Sequence, residues 1–353
     1  MKRTPFKDIL RDPLGAAGML VISLAFLTAV FAYLIIPDAT PNANQMQVAI
    51  AGKKPGFRVS MLRLQREVTE ESGFWQRLLN GRELPYREIA VGKVHWKKET
   101  VVYYPYAGEA ALGAPVELQR AELYQQDVFD RTFMLGTDRY GRDLLSRLLL
   151  GARISFSVGF ISVLISLLIG IPLGALAGYY GGVLDKLIMW IINVVWSIPT
   201  LLMVIAITLA LGKGFWQVFI AVGFTMWVEV ARVVRGQILS VKEKEYIQAA
   251  HVLGFSDLRI IWRHLLPNVL APVIVISAAN FAAAILIESG LSFLGIGAQP
   301  PMPSWGGMIK DHYAYLIVDK AYLAVAPGVA IMLLVLAFMM LGNALRDALD
   351  VRS

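Results

Sequence analysis

Six stretches of this chain are apolar over about the length that crosses a bilayer, and no other feature restricts its possible folds so sharply. They lie near 14–36, 153–178, 186–211, 216–233, 269–291 and 322–342. Hydrocarbon offers backbone N–H and C=O groups no partners. A run of ~20 apolar residues must therefore close its hydrogen bonds within itself, as a helix. A charged fraction of 17% and a mean hydropathy of +0.59 fit the same class. The expected fold is an all-α polytopic membrane protein with six transmembrane helices.

The first run is too long for a secretory signal core and reads as an uncleaved anchor. Lys2, Arg3, Lys7 and Arg11 precede it, which places the N-terminus in the cytoplasm. Alternation then puts 179–185, the loop 234–268 and the C-terminal tail on that same side. Charge agrees: Arg232, Arg235, Lys242, Lys244, Arg259 and Arg263 belong to the loop and its flank. The two short external connections hold only Lys213, Lys310 and Lys320. The expected division is 1–36 for the N-terminus and anchor, 37–147 for an extracytoplasmic insertion, and 148–353 for the membrane core. Within the insertion, 37–56 reads as a linker. Leu62, Val68, Trp75, Leu78 and Leu79 among charges suggest a helix over 59–79, and 98–106 suggests a strand, so the insertion is expected to be a small α+β module.

The one long polar interruption in the second half is Glu245 to Asn268, EYIQAAHVLGFSDLRIIWRHLLPN. Tyr246, Ala249, Ala250 and Leu253 fall at i, i+3, i+4 and i+7, one apolar helix face. Gly254 is placed to end that helix with a positive φ. Ser256 and Asp257 look like the cap and first position of a second helix, with Leu258, Ile261 and Leu265 on one face and a stop at Pro267. Read by periodicity alone, this is an amphipathic hairpin, lying on the membrane or gripped by another protein.

The loop resembles the Glu-Ala-Ala, three residues, Gly segment of permease subunits in binding-protein-dependent ABC transporters. Other stretches agree. Leu135–Asp143 (LGTDRYGRD), Ser146-Arg147 and Gly151–Ser155 are similar to the run before the membrane core of C-type dipeptide, oligopeptide and nickel permeases. Gly178–Gly182, Leu291–Gly295 with Gly297, Gln299–Gly306 and Asn343–Asp350 resemble further segments of that subfamily. The resemblance covers about 130–353 and leaves out 38–130.

It implies a type I ABC importer core of five helices after the anchor, in the bacterial cytoplasmic (inner) membrane. It also implies a second permease subunit, two ATPase subunits that hold ATP-Mg, and an extracytoplasmic substrate-binding protein, with peptide as the cargo. The helix around Gln248–Gly254 would enter an ATPase cleft and act as a lever. Ala249 and Ala250 would permit close approach, Gly254 the turn, and Asp257, Arg259 and Arg263 polar contacts. The family's glutamate is Gln248 here, which keeps reach and hydrogen bonding but not charge. A secondary transporter, or carriage of nickel or another small solute, are the alternatives.

Within the spans, Asn280 and Glu288 stand eight residues apart on one helix, roughly on one side. They are candidates for the translocation pathway. Against this, Glu288 near the outer end of its span can meet water or a partner subunit. Trp305, in the Pro- and Gly-rich external loop, can guard the pathway mouth, meet a delivery protein, or anchor a plain connector at the headgroups. Gly141-Arg142-Asp143 reads as charge pairs or a solvated helix start, and Arg147 and Arg153 as snorkelling anchors. Glu229 is expected to pair with Arg232, and Pro172 and Pro199 to kink their spans.

Catalytic chemistry is not in view. The chain has no phosphate-binding GxxxxGK[ST] run, so ATP hydrolysis belongs elsewhere. It has no cysteine, and its four histidines, His95, His251, His264 and His312, share no metal-ligand spacing. The net charge of +7 comes from scattered residues without interleaved aromatics, so nucleic acid is not an expected partner and lipid is.

Overall fold

The computed structural model describes residues 5–67, 73–108, 112–212 and 214–350. Lys2, Arg3, Val68 and Lys213, named above, lie outside these. The chain divides into two compact units, Met1–Ala25 with Ser155–Gln299 and Val329–Ser353, and Phe26–Ile154 with Pro300–Gly328.

In chain order the helices and strands begin with α1 (Pro5–Arg11) and α2 (Pro13–Ile35). Then come β1 (Phe57–Gln65), α3 (Phe74–Asn80), β2 (Tyr86–Trp96), β3 (Thr100–Pro105), β4 (Val116–Gln119) and β5 (Leu123–Phe133). Helices follow: α4 (Leu144–Tyr180), α5 (Gly182–Trp196), α6 (Thr200–Leu211), α7 (Phe215–Val241), α8 (Glu245–Val252) and α9 (Asp257–Ile260). The last are α10 (Leu266–Phe293), α11 (Trp305–His312) and α12 (Tyr322–Asp350).

Five helices are long and apolar enough to cross a membrane, or six if α5 and α6 count as one span. The run 186–211 is not one straight helix. It bends by 90° between Trp196 and Thr200, and Pro199 sits at the cap of α6. Proline has no N–H to donate and disfavours helix in the residue before it, so the break falls there. Pro172, by contrast, lies inside a continuous α4.

In the first unit α4 meets α7 along Gly170, Gly174 and Gly178, four residues apart. A Cβ on Gly170 would stand 2.7 Å from Trp227 O, and one on Gly178 3.0 Å from Arg235 O. Small residues at this spacing let two backbones approach closely where no hydrophobic effect drives helices together. In the same unit Phe281 and Phe338 stack with ring centroids 4.1 Å apart, and Phe156 meets Phe281 edge-on and Phe338 at a tilt.

The second unit holds a five-stranded antiparallel sheet of order β4-β3-β2-β1-β5. The helix expected over 59–79 is overturned: FRVSMLRLQ alternates, and it folds as β1. Val59 and Met61 enter one apolar cluster with Ile50, Ala90 and Phe133, and Leu62 and Leu64 the opposite one with Val91 and Val101. A helix would scatter these residues, whereas a strand sorts them by parity. Among the described residues of that stretch, those from Phe74 onward are helical, in α3, and Val68 lies outside the described residues. The strand expected over 98–106 is found as β3. Glu88 on β2, almost fully buried, is paired with Arg63 of β1 and Arg131 of β5.

Candidate functional site

Gly254 closes α8 in a Schellman motif. Phe255 N–H donates to Ala250 O at 3.1 Å and Gly254 N–H to His251 O at 2.9 Å, with Gly254 at φ +75°. Nothing lies within 4 Å of where a Cβ would sit, so conformation rather than space requires the glycine. Ser256 has the extended backbone of an N-cap, yet its side chain caps nothing.

The apolar faces differ from those expected. Ile247 and Ala250 turn inward with Ile260, Ile261 and Leu265, joining Val230, Val234 and Ile238 of α7. Tyr246, Ala249, Leu253 and Leu258 face out instead. A three-residue step from Ile247 to Ala250 already satisfies the neighbouring core, which leaves the other stripe free. Val252, Leu253, Leu258 and Trp262 are 88%, 72%, 66% and 64% exposed. Scattered exposed apolar residues are ordinary, whereas these four fall within eleven positions of a polar loop.

Nor does the second helix stop at Pro267. A π-helical turn, Ile261–Leu265, carries α9 into α10. The wider turn accommodates the N–H that proline lacks, and Asn268 Nδ2 donates to His264 O at 2.6 Å. The loop is thereby continuous with a membrane span.

Side chains brace it from the other side. Tyr179 at the end of α4 donates its hydroxyl to Asp257 Oδ1 at 2.7 Å, and the His251 ring stacks on Tyr179. Lys242 Nζ donates to the carbonyls of Gly178 and Tyr179, each at 3.3 Å. Arg235 of α7 grips Asp185 of α5 through two bonds of 2.5 and 2.7 Å. Asp257 is thus engaged within the chain. Gln248 donates to Glu243 O at 3.2 Å, while Gln248, Arg259 and Arg263 remain exposed. Tyr179, Asp185, Arg235 and Lys242 escaped the sequence reading as bracing residues, because the positions they join are 50 to 78 residues apart. Arg232 stacks on Trp196 at 3.9 Å, in place of the expected pairing with Glu229.

Asn280 and Glu288 on α10 are both closed off from water, at 2% and 1% exposure. Glu288 accepts from Ser292 Oγ at 2.6 Å, and that oxygen accepts Ala298 N–H at 3.1 Å. Asn280 Nδ2 is buried without a hydrogen-bond partner among the described residues.

In the second unit the LGTDRYGRD run is a buried ionic knot, which corrects the solvated helix start. Asp138 accepts the N–H groups of Tyr140 (2.8 Å) and Arg142 (2.9 Å) and pairs with Arg142 Nε at 2.6 Å. Arg147 Nε stands 3.8 Å from the same carboxylate and is 5% exposed, so it is no snorkelling anchor. Arg153 instead donates to Leu78 O and Leu79 O. Asp143 takes both the N–H and the hydroxyl of Ser146, and burial still raises its carboxyl above the ordinary value. Trp305 is 4% exposed, packed over Gly151, and donates to Leu148 O at 2.8 Å. It therefore does not anchor at the headgroups: its indole N–H is spent on backbone.

Long apolar helices, a glycine-closed helix pair continuous with a span, and an outward apolar patch on that pair define a polytopic membrane protein with an apolar face exposed on a polar loop. The family model described as binding-protein-dependent transport system inner membrane component matches residues 170–353, and the chain belongs to that family. Among curated relatives, the glutathione transport system permease protein GsiD of Pectobacterium atrosepticum is 43% identical over 216 residues, 61% of this chain and 71% of that protein. The dipeptide transport system permease protein DppC of Alkalihalophilus pseudofirmus is 44% identical over 215 residues, 61% of this chain and 70% of that one. A solved chain from inward facing conformations of the MetNI methionine ABC transporter aligns at 18% identity and a TM-score of 0.47, covering 60% of this chain and 98% of that one, a likeness too low to carry an argument.

Proposed function

We propose that this chain is the transmembrane permease subunit of an ATP-driven ABC importer, with peptides as its cargo. It forms half of the translocation pathway beside a second permease. Two ATPase subunits bind from the cytoplasm, hold ATP-Mg and perform the hydrolysis, and a substrate-binding protein delivers from outside. The N- and C-termini are cytoplasmic, and 37–147 lies outside the inner membrane. Peptide is favoured because the relatives are dipeptide, oligopeptide and glutathione permeases.

The observation that carries the reading is the outward patch of Val252, Leu253, Leu258 and Trp262 on a loop continuous with α10 and braced to α4. Gln248, Ala249 and Gly254 form the element that enters the ATPase, with Ala250 packed beneath it rather than at the contact, and Arg259 and Arg263 supply charge at its rim. When the ATPases close on ATP they displace this element. The braces to Gly178, Tyr179 and Asp185 pass the displacement to α4, α5 and α7 as one body, switching access between the two sides. Asn280 and Glu288 serve the pathway from within α10.

Gly254→Asp tests the lever. A carboxylate in a left-handed position costs about 1 kcal/mol of backbone strain and meets no neighbour, so the chain still folds. Uptake is lost while ATP hydrolysis by the assembled complex continues. Peptide uptake at the unmodified rate sinks the lever, and failure to recover ATP-hydrolysing subunits with the tagged chain sinks the importer.

A further inference from the structure

The helix α3 turns almost all of its side chains outward, and three of these six, Phe74, Trp75 and Leu79, are apolar beside Gln76, Arg77 and Asn80. Phe74, Trp75 and Leu79 are 62%, 71% and 54% exposed, and of the helix only Leu78 is buried. Phe74 and Trp75 form an edge-to-face pair 5.5 Å apart. A helix of seven residues with one inward side chain has little reason to form on its own account.

Its position follows from the ends of two membrane-crossing helices, α2 from Phe26 on and α4 up to Ile154, which belong to the same unit as α3. Arg153 of α4 donates through Nη1 to the carbonyls of Leu78 and Leu79, at 3.2 and 2.8 Å, satisfying the C-terminal end of α3. The same guanidinium lies over the ring of Tyr33, two residues before the end of α2. Gly81, just past α3, has φ +81°, and a Cβ there would stand 2.8 Å from the Tyr33 ring and 2.7 Å from Ala39 O. Arg82 N–H then donates to Ala39 O at 2.9 Å. The helix is thus held at the level where α2 leaves the hydrocarbon. Leu34 and Ile35 at that level are 56% and 57% exposed, as residues facing lipid are. The apolar flank of a spanning helix therefore continues onto Phe74, Trp75 and Leu79.

We infer that α3 is an in-plane interfacial anchor, whose Phe74, Trp75 and Leu79 enter the headgroup–acyl boundary of the outer leaflet. The occupant is lipid rather than protein, because the patch continues a lipid-facing surface and is headed by the aromatic types that partition to that boundary. Arg153 acts as the bracket. Its charge faces the carbonyl end of α3, and this holds that helix beside the end of α2.

The absence of cysteine makes the test direct. Trp75→Cys and Leu79→Cys are labelled singly with an environment-sensitive fluorophore in the full chain, reconstituted in vesicles of phosphatidylethanolamine and phosphatidylglycerol. Lys98→Cys, exposed at the β2–β3 turn, is the control. Labels at 75 and 79 should be quenched by lipids carrying a doxyl group near the headgroup, and show several-fold less iodide quenching than the label at 98. Iodide quenching at 75 and 79 equal to that at 98 overturns the anchor. Shielding that develops only when the assembled transporter is present overturns it in favour of a protein partner.

Discussion

Tyr179, the penultimate residue of α4, donates its hydroxyl to the carboxylate of Asp257, the first residue of α9, at 2.7 Å. One hydrogen bond thus joins the end of a membrane span to the second helix of the 245–268 loop. The His251 ring lies on the same tyrosine, so both helices of the loop touch it.

Tyr179→Phe removes the bond and keeps the ring. Because the pair is partly exposed, the stability lost should be at most about 1 kcal/mol. Coupling should suffer more than stability, with fewer peptides carried per ATP hydrolysed and melting nearly unchanged. Parallel uptake and hydrolysis measurements in proteoliposomes check this.

Asp138→Asn addresses the buried knot. It leaves Arg142 and Arg147, 3% and 5% exposed, without their shared counter-charge. Breaking a buried pair on one side costs roughly 3–5 kcal/mol. A melting temperature well below that of the parent chain, or loss of folded protein from membranes, is the expected result.

His312 sets a pH dependence. Its Nδ1–H donates to Met308 O at 2.7 Å, and its Nε2 faces Arg139 N–H at 3.4 Å, which suits the neutral ring. Burial lowers its pKa below the ordinary 6.5, against the pull of Asp138 and Asp311 and with the repulsion of Arg139. The folded value is depressed, so its contribution to stability is full above about pH 6.5 and is lost as pH falls through the folded value. Melting between pH 7.5 and 5.5 should therefore drop more for the parent chain than for His312→Gln. Asp143 acts with the opposite sign, and the comparison with the variant cancels it.

How much of this was legible in the sequence depends on the range over which each feature is decided. Gly254 was legible because one residue type tolerates that φ at the end of a helix. The spans were legible from length alone and the bend at Pro199 from the proline itself, but its 90° size was not, since the apolar run continues through it. The strand at Val59–Leu64 was written in its alternation and obscured by the charges around it. The inward turn of Ile247 and Ala250 depends on where α7 lies, and periodicity within α8 cannot supply that. The knot joining Arg139 to Asp311 and His312 pairs positions more than 170 residues apart, so the motif around Asp138 hid its burial.

The central claim is that the outward patch on α8 and α9 is covered by an ATPase, and labelling Leu253→Cys measures this most directly. The chain has no other cysteine, and Leu253 is 72% exposed when the chain stands alone. Maleimide labelling at 253 should be fast in membranes holding only this chain and strongly slowed once the ATP-hydrolysing subunits are co-assembled. Equal labelling in both would contradict the account, leaving the patch open to water or lipid and the loop without its proposed partner.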